Sequence, residues 1–345
     1  MTASPGRVSS QPSSVATGSP AFPSPDLPAG TVAMIASSVL EKPLLQATTT
    51  QFQRHATVHS LEVRRVPVRD ETGETLVDVA RWSVTPHDGD ETRCSQQMMS
   101  LLEETAEHTR RQRDVGSRER VTTTVLPASW RISDPAMLIM DVDSTLIDQE
   151  VIELLARHAG REDEVAAVTE RAMRGELDFA ASLHERVATL RDLPVSVIDT
   201  TVASVTATQG AEALIETFRR RSWPVCAVSG GFIQVLDPLA AHLGLNRCDA
   251  NELTVDARSG TLTGSVTGAV VDRAAKGHRL RHWAAEQGVP TTSVVAIGDG
   301  ANDLDMVTAA GVGVAFCAKP ALAQQADLVI EHRSLELVTL ALGLS

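Results

Sequence analysis

The stretch Ala136-Met137-Leu138-Ile139-Met140-Asp141-Val142-Asp143-Ser144-Thr145-Leu146-Ile147 joins a short, unbroken apolar run to two carboxylates two residues apart. Pro135 precedes the run and polar residues end it at once. Such a run suits a strand covered on both faces in an open parallel sheet. Ligands of these sheets bind beyond the carboxyl ends of the strands, so Asp141 and Asp143 fall where a metal can be held and a phosphate attacked. One could act as nucleophile on phosphorus and the other as proton donor and acceptor, with Mg²⁺ offsetting the charge around them. The pair alone does not say which does which.

Two later segments repeat the pattern. Pro224-Val225-Cys226-Ala227-Val228 runs into Ser229-Gly230-Gly231, and Ser293-Val294-Val295-Ala296-Ile297 runs into Gly298-Asp299-Gly300-Ala301-Asn302-Asp303 at the head of a helical pattern. Three apolar strands thus deliver polar or glycine-rich groups to one edge of one sheet. Ser229 and Gly230 can offer a hydroxyl and an unobstructed N–H to phosphate oxygens. Asp299 and Asp303 lie one helical turn apart and can face one point above the sheet, where Mg²⁺ would find the oxygen ligands it prefers. Lys276 opens a helical pattern with Leu280, Trp283 and Ala284.

With these segments in order, the chain resembles the haloacid dehalogenase superfamily of phosphatases, and within it the phosphoserine phosphatases. The resemblance rests on DVDSTLI, AMRGELDF from Ala172 to Phe179, SGGF from Ser229, Lys276 and GDGANDLDM from Gly298 to Met306, and covers about 137–326. It implies an α/β Rossmann-like core with a parallel sheet and a helical cap at about 150–222, within a domain spanning 136–345. It also implies Mg²⁺-dependent hydrolysis of O-phospho-L-serine through an aspartyl-phosphate, the last step of L-serine synthesis. Asp141 would be the nucleophile and Asp143 the proton donor and acceptor. Asp141, Asp143 through its backbone carbonyl, and Asp299 would hold the metal, with Asp303 further out. Lys276 would neutralise the phosphate, and Ser229, Gly230 and Asn302 would bind substrate. Glu150 and Arg186 match the positions that meet the amino acid's ammonium and carboxylate, the latter suited to a guanidinium fork. Met173 and Phe179 match apolar cap positions. Another small phosphomonoester such as phosphohomoserine, a receiver-type signalling protein and an amino-acid sensor are the competing readings.

A net charge of -13 disfavours nucleic acid as the main partner. Cys94, Cys226, Cys248 and Cys317 form no Cys-x-x-Cys pair, which points to a reducing cytoplasm, and no stretch reaches transmembrane length. Residues 1–30 hold seven serines and six prolines with only Arg7 and Asp26 charged, so a disordered tail is expected over 1–40. Residues 45–130 read as a small α+β domain. Strands are expected at 58–66, 75–84 and 121–126, a turn at 70–73 and a helix at 90–111. In position this domain resembles the amino-acid-sensing ACT domains, and a packing or homodimerising role fits it equally. Helices are also expected from Glu162 to Arg174, stopped by Gly175, and after Asp178 as N-cap. A hairpin is expected over 251–268, serving packing.

Overall fold

The structure, a computed structural model, describes residues 30–70, 73–111, 120–130, 134–174 and 176–344. The tip of the expected turn at 71–72, the helix stop Gly175 and residues 1–29 lie outside the described residues.

The N-terminal unit runs β1 (Thr31–Ser37), α1 (Lys42–Phe52), β2 (Ala56–Asp70), β3 (Gly73–Pro86), α2 (Glu91–Arg111) and β4 (Thr122–Leu126). Its antiparallel sheet has the order β2-β3-β1-β4, the ferredoxin-like βαββαβ arrangement. The expected tail is corrected here, because Thr31–Ser37 is a fully buried inner strand paired on both edges. Ala33 and Ile35 pack with Phe52, Met98 and Leu102 under the two helices. Val32, Met34 and Ala36 face the other way, into a cluster with Leu337, Leu340 and Leu342 near the C-terminus. A seven-residue alternation of this kind is diluted when composition is averaged over forty residues. The helix α1 was not expected either. Its Thr48, Thr49 and Thr50 each bond the carbonyl four residues back, and Thr48 and Thr49 reach Thr105 and the Trp82 indole N–H. Tertiary partners here outweigh weak helical propensity.

The larger unit centres on β5 (Met137–Met140). An insertion of α3 (Val151–Ala159), α4 (Glu162–Met173), α5 (Phe179–Ala188) and α6 (Ser196–Ser204) follows. Then come α7 (Ala211–Arg219), β6 (Val225–Phe232), α8 (Ile233–Leu243), β7 (Arg247–Asp256), β8 (Thr261–Thr267), α9 (Arg273–Glu286) and β9 (Val294–Gly298). The chain closes with α10 (Leu304–Ala309), β10 (Val312–Phe316), α11 (Pro320–Ala323), β11 (Leu328–Ile330) and α12 (Glu336–Ala341). The sheet order is β11-β10-β9-β5-β6-β7-β8, parallel except for β8. Leu138 and Met140 point into one apolar cluster, Met137 and Ile139 into the other, as a strand covered on both faces requires. From β5 the chain builds outward through β6 to β8 and returns to β5's other side with β9, so the switch point lies at Asp141.

The expected insertion boundary at 222 is also corrected. A bridge between Ile147 and Ala207 closes its neck, and α7 turns Leu214, Ile215 and Phe218 into the sheet-side cluster. The β7–β8 hairpin does more than pack. Leu262 O accepts from Asp192 N–H (2.9 Å), Leu262 N–H donates to Leu193 O (2.8 Å), and Val195 N–H donates to Gly260 O (2.9 Å), which ties the α5–α6 turn to β8. Among the described residues no helix is long and apolar enough to cross a membrane.

Candidate active site

Asp141 leaves β5 with its N–H on Ile297 O (2.9 Å), which locks it between β5 and β9. The chain then turns through Val142–Leu146, where Ser144 takes a left-handed conformation (φ 55°, ψ 6°). That conformation is uphill for a residue with a Cβ. The turn aims two adjacent carboxylates in different directions. Asp141 Oδ1 accepts from Val142 N–H (2.7 Å) and lies 2.6 Å from Lys276 Nζ. Asp143 Oδ1 accepts from Val151 N–H (2.7 Å) and its Oδ2 from Ser229 Oγ (2.8 Å).

Lys276 has no exposed surface and bridges Asp141 and Asp303, at 2.6 Å from each. Its helix is capped by Asp272, whose carboxylate accepts from Ala275 N–H. Asp303 Oδ2 accepts from the N–H groups of Asp299 (3.1 Å) and Gly300 (3.0 Å). Both oxygens of Asp303 are therefore engaged in bracing the loop after β9. Carboxylate oxygens of Asp141, Asp299 and Asp303 all lie within 4.8 Å of one another, a hard-oxygen set of the kind that suits Mg²⁺. Asp141 and Asp299 are the members best placed to ligate, since Asp303 is taken.

Burial pushes the Asp141 carboxyl well above the usual range, with Asp303 adding to the shift and Lys276 opposing it. Burial, and then the charge of Glu150, pushes Asp143 up to about 6 against the hydrogen bonds from Val151 and Ser229. Asp299 rises to about 7 through burial and the charge of Asp303. For Lys276, burial pulls downward, but Asp141 and Asp303 outweigh it and hold the ammonium above the usual lysine value.

Above this floor lies a cavity of about 780 Å³ lined by both the core and the insertion. Asp141, Asp143, Glu150, Arg186, Asp299 and Asn302 all border it, as do Gly230 and Phe179. Lys276, Asp303 and Ser229 lie beneath its surface. Glu150 Oε1 accepts from Ser144 Oγ (2.8 Å). The Arg186 guanidinium bonds the carbonyl of Ser182 on its own helix, and among the described residues no carboxylate lies within ion-pair distance of it. Burial lowers its pKa while Glu150 and Asp143 hold it up. A Cβ at Gly230 would stand 2.7 Å from Phe179 Cζ, so the absence of a side chain lets the insertion close onto the Ser229 loop. Met173 ends α4, and its side chain lies outside the described residues.

Three residues escaped the sequence reading. Asn251 on β7 donates to Gly230 O (2.8 Å) and accepts from Val271 N–H (2.8 Å), which fixes the Ser229 loop. Lys319 lines the cavity, and its N–H donates to Asp299 O (2.9 Å). Its signal was available, since Ala318-Lys319-Pro320 follows the apolar run of β10 as the other polar groups follow theirs. Arg333 donates to Ser144 O (3.1 Å) from the far end of the chain, where no pattern announces it.

A model of the haloacid dehalogenase-like hydrolases matches residues 138–308. Phosphoserine phosphatase of Streptomyces coelicolor is 54% identical over 225 residues, covering 65% of this chain and 54% of that one. The chain thus spans about half the length of that relative. Phosphoserine phosphatase of Lactococcus lactis is 46% identical over 199 residues, 58% of this chain and 91% of that one. A solved structure described as a phospho-aspartyl intermediate analogue of phosphoserine phosphatase aligns with a TM-score of 0.56 at 41% identity, over 60% of this chain and 98% of that one.

Proposed function

The chain belongs to the haloacid dehalogenase-like hydrolases, and within them we propose that it is an Mg²⁺-dependent phosphatase converting O-phospho-L-serine to L-serine and phosphate. The observation that carries the substrate is the presence of both Glu150 and Arg186 on the wall of the cavity that also holds Asp141 and Asp143. A free amino acid presents one ammonium and one carboxylate, and these two side chains supply the complementary charges.

Asp141 attacks phosphorus, forming its acyl-phosphate bond as the bond to the serine oxygen breaks. Asp143 gives its proton to that oxygen. It then takes a proton from water, whose oxygen attacks phosphorus and releases phosphate and the Asp141 carboxylate. A group pushed up to about 6 is suited to both transfers near neutral pH. Lys276 holds the Asp141 carboxylate in place from below. Gly230 N–H and Asn302 border the space for the phosphoryl oxygens, with Ser229 orienting Asp143. Mg²⁺ held by Asp141 and Asp299 would offset the charge of the phosphoryl group and the carboxylates. Release of L-serine makes this the last step of serine synthesis.

The test is phosphate release from O-phospho-L-serine, O-phosphohomoserine and an aryl phosphate, with Mg²⁺ and with chelator. Phosphoserine should give the highest kcat/KM, and chelator should abolish it. A higher kcat/KM for either competitor would replace the substrate assignment.

A further inference from the structure

We infer that Arg69, from the N-terminal unit, is a positioning residue for Glu150, acting through Asp148, Arg333 and Ser144. The inference rests on the reading of Glu150 as the partner of the substrate ammonium.

Arg69 closes the long strand β2 and reaches the loop that carries the two catalytic aspartates. Its guanidinium lies 2.6 Å from Asp148 Oδ2, and its N–H donates to Arg333 O (3.2 Å). Arg333 in turn approaches Asp148 Oδ1 (3.4 Å) and donates to Ser144 O (3.1 Å), with its guanidinium 5.8 Å over the Phe316 ring. Both oxygens of Asp148 thus meet an arginine, each from a distant part of the chain. Asp148 itself is only 14% exposed.

The consequence runs through Ser144. Its left-handed backbone is uphill and must be held by its surroundings. Its carbonyl is held by Arg333, its N–H by Gln149 O (3.1 Å), and its hydroxyl then meets Glu150 Oε1 at 2.8 Å. Among the described residues Glu150 has no other side-chain hydrogen bond. A glutamate held by one contact is oriented only as well as that contact. The N-terminal unit therefore bears on the cavity through the end of β2. Any ligand or partner that shifts β2 would change how Glu150 meets a substrate ammonium.

The test uses the full chain with Arg69→Ala, Arg69→Lys and Asp148→Asn. Amide hydrogen exchange is followed over residues 144–151, alongside KM and kcat for O-phospho-L-serine and for an aryl phosphate. Arg69→Ala should speed exchange in that loop and raise KM for phosphoserine about 3- to 10-fold, the size expected for a half-exposed link in a coupled network. Values for the aryl phosphate, and kcat for both, should stay within about twofold. Arg69→Lys should recover most of the KM, and Asp148→Asn should reproduce the loss. Unchanged exchange in the loop would overturn the inference, as would equal losses on both substrates. If the wild type hydrolyses aryl phosphate but not phosphoserine, the substrate reading fails, and the exchange measurement still decides whether Arg69 holds the loop.

Discussion

Replacing Lys276 by methionine keeps a side chain of similar length and removes a cation that touches both Asp141 and Asp303. The ammonium is fully buried and 2.6 Å from each carboxylate, so among the described residues its loss leaves neither charge in contact with a cation. Breaking a buried ion pair from one side costs about 3–5 kcal/mol. The pocket can limit this loss by holding a proton on Asp141, whose carboxyl is already pushed up by burial and would lose the opposing charge of Lys276. A native state holding one proton more than the unfolded chain loses stability as pH rises, by about 1.4 kcal/mol per pH unit. Between pH 6 and 8 the variant should therefore fall about 2.7 kcal/mol further below the wild type. Lys276 does not blur the comparison. A lysine whose folded pKa is raised keeps its full contribution below its ordinary value, and so throughout this window. Asp143 and Asp299 titrate here in both proteins and largely cancel. The assay is urea unfolding in chelator at pH 6, 7 and 8, repeated with Mg²⁺, which should narrow the gap by binding the native carboxylates. Parallel pH profiles with a gap under about 1 kcal/mol at pH 8 would refute the claim that the ammonium holds the two carboxylates together.

Asp143→Asn should keep the fold and lose turnover, because no proton is available for the leaving oxygen or from the water. Mass spectrometry of rapidly quenched Asp143→Asn should find any residual phosphate on Asp141, and Asp141→Asn should carry none; phosphate on a serine or histidine would displace the nucleophile. Arg186→Ala and Glu150→Gln should weaken phosphoserine hydrolysis by about 2–5 kcal/mol relative to an aryl phosphate, since each leaves a substrate charge enclosed and unpaired. Equal losses on both substrates would make the pair structural. Deleting residues 1–37 removes the inner strand β1 and should yield insoluble or unfolded protein, whereas deleting 1–29 should leave the melting temperature nearly unchanged. A soluble, active 38–345 chain would contradict the shared core.

The parts of this molecule that the sequence makes legible are those where one strand and its following loop act together. Asp141, Ser229 and Asp299 each follow or end an apolar run, and parallel pairing with β5 at the centre carries all three to one edge. Lys276 stands at the head of a helical pattern, but its role is implied by the family resemblance and not by the pattern. What escaped depends on pairing across distance. β1 reads as part of a Ser/Pro-rich segment until β3 and β4 flank it, and α1 reads poorly until Thr48 and Thr49 find Thr105 and Trp82. Asp148 looks like an ordinary loop acid, and its two arginines come from 79 and 185 residues away. The insertion's end was misjudged because α7 is as amphipathic as the helices before it. What sets it apart is its place in the chain, after the Ile147–Ala207 bridge that closes the neck.

The three main-chain bonds between the α5–α6 turn and β8 anchor the helical insertion to the central sheet at a point away from its own neck. Strand-like pairing with a hairpin that is itself part of the central sheet is stiff, so the turn at 192–195 behaves as a doorpost. Arg186 stands close to it, in the last turn of α5. Phe179 sits at the opposite end of the same helix, where its ring lies against Gly230. One ten-residue helix thus carries both Phe179 and Arg186 to the wall of the cavity, so the spacing between the aromatic ring and the guanidinium is set by helix geometry and by nothing the substrate brings.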